Sequence, residues 1–511
     1  MRFLLPLLLI CAALLALLPG CEPKEDLLTT DGSARLEFSA DTVIFDTVFT
    51  QVGTVSKRLW VYNRNSRAVR IEQIRLADTN PGTYSLIING DERQAAAGLE
   101  IRGKDSLQIL VKARLGATSV LKPFLLTDQL LFTTNGNEQD VKLVAYGQNA
   151  YFHVLERIGN SVRPSITTWP NDKPHVIYGA VLVDSLCTLR IQPGTRVYSH
   201  AGAALVVRGT LLVNENTAPT AELKDDDRAT LVRFQGDRLE ASYNDVPGQW
   251  AGIQFDAASS RSNVVNFAEI KNASFGLLVF NPRNRPHPKV TVRNTAFRNI
   301  SGAGLTFASG GQRFDGGGVL SFSGDFDLTN CLFTNCGEYA VTGVGGGLYS
   351  LNYCTIANYT PQFRRETASL SFTNEPATRQ PLAAPITIGV SINNSIVWGS
   401  IADELFFENS NQYRAGISIR NSLLRTRDYA AATDASDKPG LGNQASSNLL
   451  NVNPKFKRSP ETFGDKYDYR LDNLSPASDK ARVDALVLRD LVNKPRSTSA
   501  PDLGAYERVN P

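Results

Sequence analysis

Between residues 35 and 150, apolar and polar side chains alternate in short runs with no helical period. The runs include Thr42-Val43-Ile44-Phe45, Arg58-Leu59-Trp60-Val61-Tyr62, Leu107-Gln108-Ile109-Leu110-Val111 and Val141-Lys142-Leu143-Val144-Ala145. Polar breaks such as Asn63-Arg64-Asn65, Asn80-Pro81-Gly82 and Asn135-Gly136-Asn137 separate them. Short strands at this spacing, bounded by turn residues, predict an antiparallel sandwich.

Beyond residue 176 the alternation continues, and from 267 a repeat joins it. The string appears as Phe267-Ala-Glu-Ile270-Lys-Asn272, Asn294-Thr-Ala-Phe297-Arg-Asn299, Asn330-Cys-Leu-Phe333-Thr-Asn335 and Tyr353-Cys-Thr-Ile356-Ala-Asn358. Weaker copies are Asn394-Ser-Ile-Val397-Trp-Gly399 and Asn421-Ser-Leu-Leu424-Arg-Thr426. The copies are 27, 36, 23, 41 and 27 residues apart, as a fixed solenoid rung with loops of variable length would give. Stacked coils bury the apolar column, and stacked Asn side chains can bond one another at the turn. The pattern predicts a right-handed parallel β-helix over 176–450. At about 4.8 Å per coil, nine to eleven coils make a rod on the order of 50 Å. Residues 151–175 are expected to form a linker and N-terminal cap, and 451–511 a C-terminal cap.

Composition narrows the class. The chain has 511 residues and is 42% hydrophobic and 20% charged, enough apolar material for a large core. A net charge of +3 over this length does not point to nucleic acid as a partner. Residues 1–20, MRFLLPLLLICAALLALLPG, place one cation before an apolar run and read as a secretory signal. The run is short and has no basic flank after it, which argues against a membrane span. Cys187, Cys331, Cys336 and Cys354 show no zinc-type spacing with His153, His175, His200 or His287. Cys331 and Cys354 share one repeat position, which predicts two stacked, buried thiols rather than a disulfide.

Several stretches resemble known bacterial segments. Leu18-Pro19-Gly20-Cys21 resembles the bacterial lipobox, which implies lipidation of Cys21, a tether over 21–34, and a membrane partner through the lipid anchor. Lys24-Glu25-Asp26 just after it is similar to the surface-export signal of some Gram-negative lipoproteins, so an outer-membrane, surface-exposed location is expected. The run from Phe45-Asp46-Thr47-Val48 through Trp60-Val61-Tyr62-Asn63 to Val144-Ala145-Tyr146-Gly147 resembles Ig-like domains of the abnormal-spindle and sperm-protein kind. Leu205-Val206-Val207-Arg208-Gly209-Thr210 and Gly248-Gln249-Trp250-Ala251-Gly252-Ile253 look like the opening coils of pectate-lyase-like proteins. Asn453-Pro454, Leu474-Ser475-Pro476-Ala477-Ser478-Asp479 and Pro501-Asp502-Leu503-Gly504-Ala505-Tyr506-Glu507 resemble the choice-of-anchor Q segment that closes bacterial β-helix proteins. Where that pattern has a glycine soon after its Asp479 counterpart, this chain has Lys480-Ala481. A cap of this kind covers open strand edges, and Asp502 and Glu507 near Arg496 are expected to pin it by ion pairs.

The candidate chemistry is sparse. The polygalacturonase motifs that the β-helix resemblance calls for, Gly-His-Gly and Arg-Ile-Lys, are absent. A lyase-like site needs acids converging on Ca²⁺ with a basic residue opposite. Asp225-Asp226-Asp227 is the only acidic run, and consecutive strand residues cannot all face one ion. The repeat position before its last residue is expected to point outward, giving a column of Lys271, Arg298, Thr334, Ala357, Trp398 and Arg425. Lys271, Arg298, Trp398 and Arg425 are therefore the candidate ligand-binding face, through charge and ring stacking on a glycan. The sequence reads as an all-β cell-envelope lipoprotein, non-enzymatic, without cofactor, binding carbohydrate or mediating adhesion. Two alternatives stand beside it: a polysaccharide lyase or glycoside hydrolase with a diverged site, with Ca²⁺ only under the lyase form, and a structural spacer.

Overall fold

The computed structural model describes residues 27–508, apart from 51, 52, 55, 117–122, 225, 226, 307–312, 378–380, 436 and 463–465. The signal segment, Cys21 and most of the acidic run at 225–227 therefore lie outside the described residues. The chain divides into two compact units, Met1–Asn149 and Ala150–Pro511. The fold class is the expected one, all-β with a sandwich followed by a parallel β-helix.

The first unit is a sandwich of two five-stranded sheets. One runs Glu37–Phe38, Lys57–Tyr62, Ser106–Ala113, Tyr84–Ile88, Asp91–Arg93. The other runs Thr42–Phe49, Asn137–Gln148, Phe124–Thr134, Val69–Leu76, Ala95–Ile101, with its first pair parallel and the rest antiparallel. Alternation puts Leu59, Val61, Ile109 and Val111 from one sheet and Ile71, Ile74, Leu130 and Leu143 from the other into one core. Asn63, fully buried, donates from Nδ2 to the carbonyls of Arg67, Ile101 and Arg102, tying a loop to the end of the far sheet.

The second unit winds one chain into three parallel sheets. Each coil visits the first, second and third sheet in turn. The first sheet stacks Asn263–Lys271 (its second half), Lys289–Ile300 (its second half), Leu332–Cys336, Thr355–Asn358, Ile396–Gly399 and Leu423–Leu424. The second stacks Gly252–Asp256, Leu277–Phe280, Gly317–Phe322, Tyr339–Val344, Leu370–Thr373 and Leu405–Glu408. The third stacks the first half of Lys289–Ile300, Asp325–Thr329, Gly347–Asn352, Ile388–Asn393 and Ile417–Arg420. The parallel ladder already begins at Tyr151–Ile158 and Ser165–Trp169, so the first coil occupies the stretch expected to be a linker.

The repeat has a structural meaning at every position. Its first residue is the corner between the third and first sheets, and all six copies are left-handed there: φ is 42° at Phe267, 47° at Asn294, 52° at Asn330, 53° at Tyr353, 52° at Asn394 and 47° at Asn421. Asn tolerates this region better than other side chains, which is why it recurs. Its second residue faces inward and is small: Thr295, Cys331, Cys354, Ser395 and Ser422 are all buried. Thr295, Ser395 and Ser422 donate to the carbonyl two residues back at 2.7–2.9 Å. Cys331 and Cys354 make the same bond through sulfur, at 3.4 and 3.6 Å, so each thiol occupies a serine-like place. Both are free, and burial pushes the Cys331 thiol well above its ordinary range. The fourth residue forms the buried column Ile270, Phe297, Phe333, Ile356, Val397, Leu424, in register coil on coil. Phe297 and Phe333 stack with ring centres 4.6 Å apart. Each such side chain contributes roughly 1.5–3 kcal/mol by burial. The last residue closes the coil, and Asn335 donates to Asn299 at 2.8 Å, the expected ladder.

The C-terminal segment does not only finish the last coil. It runs back along the outer side of the first sheet. Arg482 N donates to Asn394 Oδ1, Ala505 N to Thr355 Oγ1, Asn330 Nδ2 to the Arg489 carbonyl, and Leu223 N to the Val492 carbonyl. Arg496 is the pin. Its guanidinium lies 4.0 Å above the Tyr353 ring, donates to Asn330 Oδ1 at 2.8 Å, and pairs with Glu507 at 3.4 Å. The expected Arg496–Glu507 pairing is present, while Asp502 accepts from the Asp479 and Arg508 amides instead.

Candidate functional site

The three outer faces of the β-helix differ. On the first sheet, outward residues Ala296, Leu332, Ile396 and Leu423 are buried in one cluster with Phe456, Leu471, Ala477, Leu491, Leu503 and Tyr506 of the returning segment. On the second, Leu278, Leu320 and Phe322 are buried with Phe275 and Ala377, and Phe314 packs 4.2 Å from Phe322. The third sheet alternates buried and open positions cleanly, and apart from Leu348 and Gly389 its outer residues are polar.

The residues singled out in the sequence lie in one register column, as expected: Lys271 beside Arg298, then Thr334, Ala357 and Trp398. Arg425 follows, its guanidinium 4.9 Å from the Trp398 ring centre. The column is not an open face. Trp398 is only 6% exposed and belongs to the cluster under the returning segment, Ala357 and Thr334 are buried, and Arg298 pairs with Glu269 at 3.2 Å. Only Lys271, Arg298 and Arg425 keep partial access, and the aromatic platform is closed to a sugar ring. Cys21 lies outside the described residues.

What the sequence reading missed is the outer side of the third sheet. Two columns run along it in register. One is Thr291, Asp327, Ser350, Ser391 and Ser418, and the other is Arg293, Thr329, Asn352, Asn393 and Arg420. A groove of about 300 Å³ opens here, lined by Arg261, Lys289, Asp327, Leu348, Ser350 and Ser391, with Gly389 and Gly416 beneath. Gly416 cannot carry a side chain, because a Cβ would sit 2.5 Å from the Ile388 carbonyl oxygen, so the groove stays open beside Leu348, itself 52% exposed. The signal was available: Asp325-Phe-Asp-Leu-Thr329 and Ile388-Gly-Val-Ser-Ile-Asn393 alternate strictly.

The electrostatics of the groove are balanced. Asp325 is buried, takes Arg261 at 2.8 Å and His287 at 2.9 Å, and accepts from Leu348 N at 3.0 Å. Burial alone would raise its pKa, but those hydrogen bonds hold it below the ordinary carboxylate value. His287 is itself held by Asn284 Oδ1 at 2.7 Å. Asp327 lies 3.9 Å from Lys289. An acid this fully engaged is not poised for proton transfer. Among the described residues, no group of three or more His, Cys, Asp or Glu side chains is placed to hold a metal ion.

No family model matches the chain, and no curated protein matches it. Among solved structures, a family 123 glycoside hydrolase from Clostridium perfringens is similar at 9% identity over 22% of this chain and 25% of that one, with a TM-score of 0.17. A protein of unknown function from Porphyromonas gingivalis matches at 9% identity over 24% of this chain and 59% of its own, TM-score 0.18. The ASH/PapD-like domain of human CEP192 matches at 11% identity over 23% of this chain and 85% of its own, TM-score 0.16. The chain spans a quarter of the first of these and about three fifths of the second. Likenesses this partial carry no functional argument. The class that stands is an all-β protein with a 25-stranded, continuously wound parallel sheet.

Proposed function

We propose that the protein is a non-enzymatic carbohydrate-binding protein of the cell envelope that holds a glycan on the outer side of its third sheet. The observation that carries this reading is that the column Asp327, Ser350, Ser391 and Ser418 presents a polar, solvent-accessible residue on each of four successive coils. Ser350, Ser391 and Asp327 supply donors and acceptors, Leu348 an aliphatic contact, and Arg261 and Lys289 sit at one end. That mixture suits a hydroxyl-rich chain, and the engaged state of Asp325 argues against acid–base cleavage. The Leu18–Cys21 string supports a lipid anchor on Cys21, with the tether and export signal as read from the sequence.

The test is retention of the full mature chain on a polysaccharide panel, read together with release of reducing ends and unsaturated products, with and without Ca²⁺. Retention without product is expected, and Ser391→Trp should weaken it about ten-fold or more by filling the groove. Product formation would replace this reading with the lyase or hydrolase alternative. Neither retention nor product would leave the structural spacer. Metabolic labelling with palmitate, lost on Cys21→Ser, tests the anchor separately.

A further inference from the structure

The first coil holds a buried histidine pair that the third-sheet groove does not use. Tyr151–Ile158 opens the parallel ladder, in register with His175–Val183. Of its own residues only His153 and Ile158 are buried, while Val154 and Leu155 are 66% and 76% exposed. The strand is therefore held by its ladder and by what His153 touches, the description of a segment that opens at low cost.

What His153 touches is one hydrogen-bonded chain. His175 Nε2 lies 2.9 Å from the Pro170 carbonyl oxygen, His153 Nε2 lies 2.9 Å from His175 Nδ1, and His153 Nδ1 meets the Glu156 carboxyl group. A carbonyl only accepts, so His175 Nε2 carries a hydrogen. The neutral His175 ring then presents a bare Nδ1, which accepts from His153 Nε2. One further proton lies between His153 Nδ1 and Glu156. The chain is complete with His175 neutral. A second proton on His175 would set two N–H groups head to head across 2.9 Å. Trp169 stacks on both rings, with centres 4.4 Å from His153 and 4.6 Å from His175, and Tyr151 stacks 4.9 Å from His175. Buried between aromatic faces, His175 has little water to solvate a charge.

The charged groups around the pair are few. Glu156 faces His153, Asp172 accepts from Tyr151 OH at 3.2 Å, and Lys173 Nζ sits 4.0 Å above the Tyr151 ring. Burial lowers His175 to about 4 from its ordinary 6.5, with His153 and Lys173 acting in the same direction and the Pro170 carbonyl and Asp172 opposing. Burial also lowers His153, against Glu156. The folded value of His175 lies below the unfolded one. Its contribution to stability is therefore present above about 6.5 and is lost progressively as pH falls from there to about 4. On the following coils the matching inward positions are Ile177 and Val197, which do not titrate.

We propose that the His153–His175 pair is an acid switch: protonation of His175 breaks the chain and releases Tyr151–Ile158 from the end of the ladder, while the later coils stay wound. Release bares the backbone edge of His175–Val183, the strand it pairs with.

The experiment is hydrogen exchange of the full mature chain from pH 7 to pH 4.5, corrected for the intrinsic effect of pH on exchange and read segment by segment. Exchange over 151–158 should rise about ten-fold or more relative to 263–358, approaching one decade per pH unit below about 6, as uptake of one proton per opening requires. His175→Gln keeps a donor for Pro170 and an acceptor for His153 but cannot titrate, and should abolish the rise. Glu156→Gln should leave the rise in place, which separates His175 from Glu156 as the trigger. The pH series on the unaltered chain decides the matter even where a variant loses the strand at every pH. Exchange over 151–158 that is indifferent to pH, a rise shared equally by 263–358, a rise that His175→Gln retains, or one that Glu156→Gln abolishes would overturn the proposal.

Discussion

The outer sides of the first and third sheets are built from the same coils with opposite consequences. On the first, the outward positions Ala296, Leu332, Ile396 and Leu423 are apolar, and sixty residues of chain return to bury them. On the third, the outward positions Asp327, Ser350, Ser391 and Ser418 are polar and stay accessible. Apolar outer residues on a solenoid oblige a cover, since leaving them in water forfeits their burial energy. Polar ones leave the face available to a ligand. The difference teaches where to look for function: not at the column richest in cations and aromatics, but at the face the protein has left uncovered.

Four measurements test whether the covered and open faces differ in this way. The largest effect is expected on the covered side. Arg496→Ala removes the pin and strands Glu507 and Asn330, which should cost about 3–5 kcal/mol in a denaturant titration. A loss below about 1 kcal/mol would mean the returning segment does not clamp the coils.

The second concerns two buried carboxylates, one on each side. Burial raises Asp490 to about 6, against three backbone N–H donors, Val492, Lys494 and Glu507, that favour its charge. Its folded pKa lies above the unfolded one, so the stability it contributes is fully present below about 4 and is lost as pH rises through about 6. The difference is about 3 kcal/mol. Asp325 on the third sheet is lowered, so its contribution is present at neutral pH and is lost as pH falls below the ordinary carboxylate range. Hydrogen exchange between pH 7 and pH 4.5 should show the returning segment protected more strongly in mild acid. Protection that weakens uniformly over that range would contradict the assignment.

The third probes the corner the two faces share. Asn421 is left-handed at φ 47°, so Asn421→Ala should cost about 1 kcal/mol and Asn421→Gly only a few tenths, read as melting temperatures. Equal losses would show that the conformation is not what the repeat selects for. The smallest effect is on the open side. Ser391→Ala should change stability by less than about 0.5 kcal/mol while weakening glycan retention, whereas Leu332→Ala under the cover should cost about 2–5 kcal/mol.

Much of the fold was legible because its physics is local. Strand alternation marks the sandwich, and the Asn-x-x-apolar string marks the coil corner, since a left-handed residue and an inward side chain three positions later are both properties of one short segment. Cys331 and Cys354 were placed correctly as stacked thiols for the same reason: position in the repeat decides which way a side chain points. The outward apolar residue two positions after four of the six corners, at Ala296, Leu332, Ile396 and Leu423, was equally visible and announces a cover, yet its weight emerges only when the coils are stacked.

The class of fold, the inward column and the chemistry of the corners are written in the residue pattern, because each follows from backbone periodicity and local conformational preference. Which outer face is open is not local. That depends on where the chain after residue 450 travels, and its path is set by contacts between residues more than a hundred positions apart, such as Arg496 with Asn330 and Ala505 with Thr355. Trp398 shows the consequence, since the strand pattern places it outward and a segment arriving from far along the chain buries it.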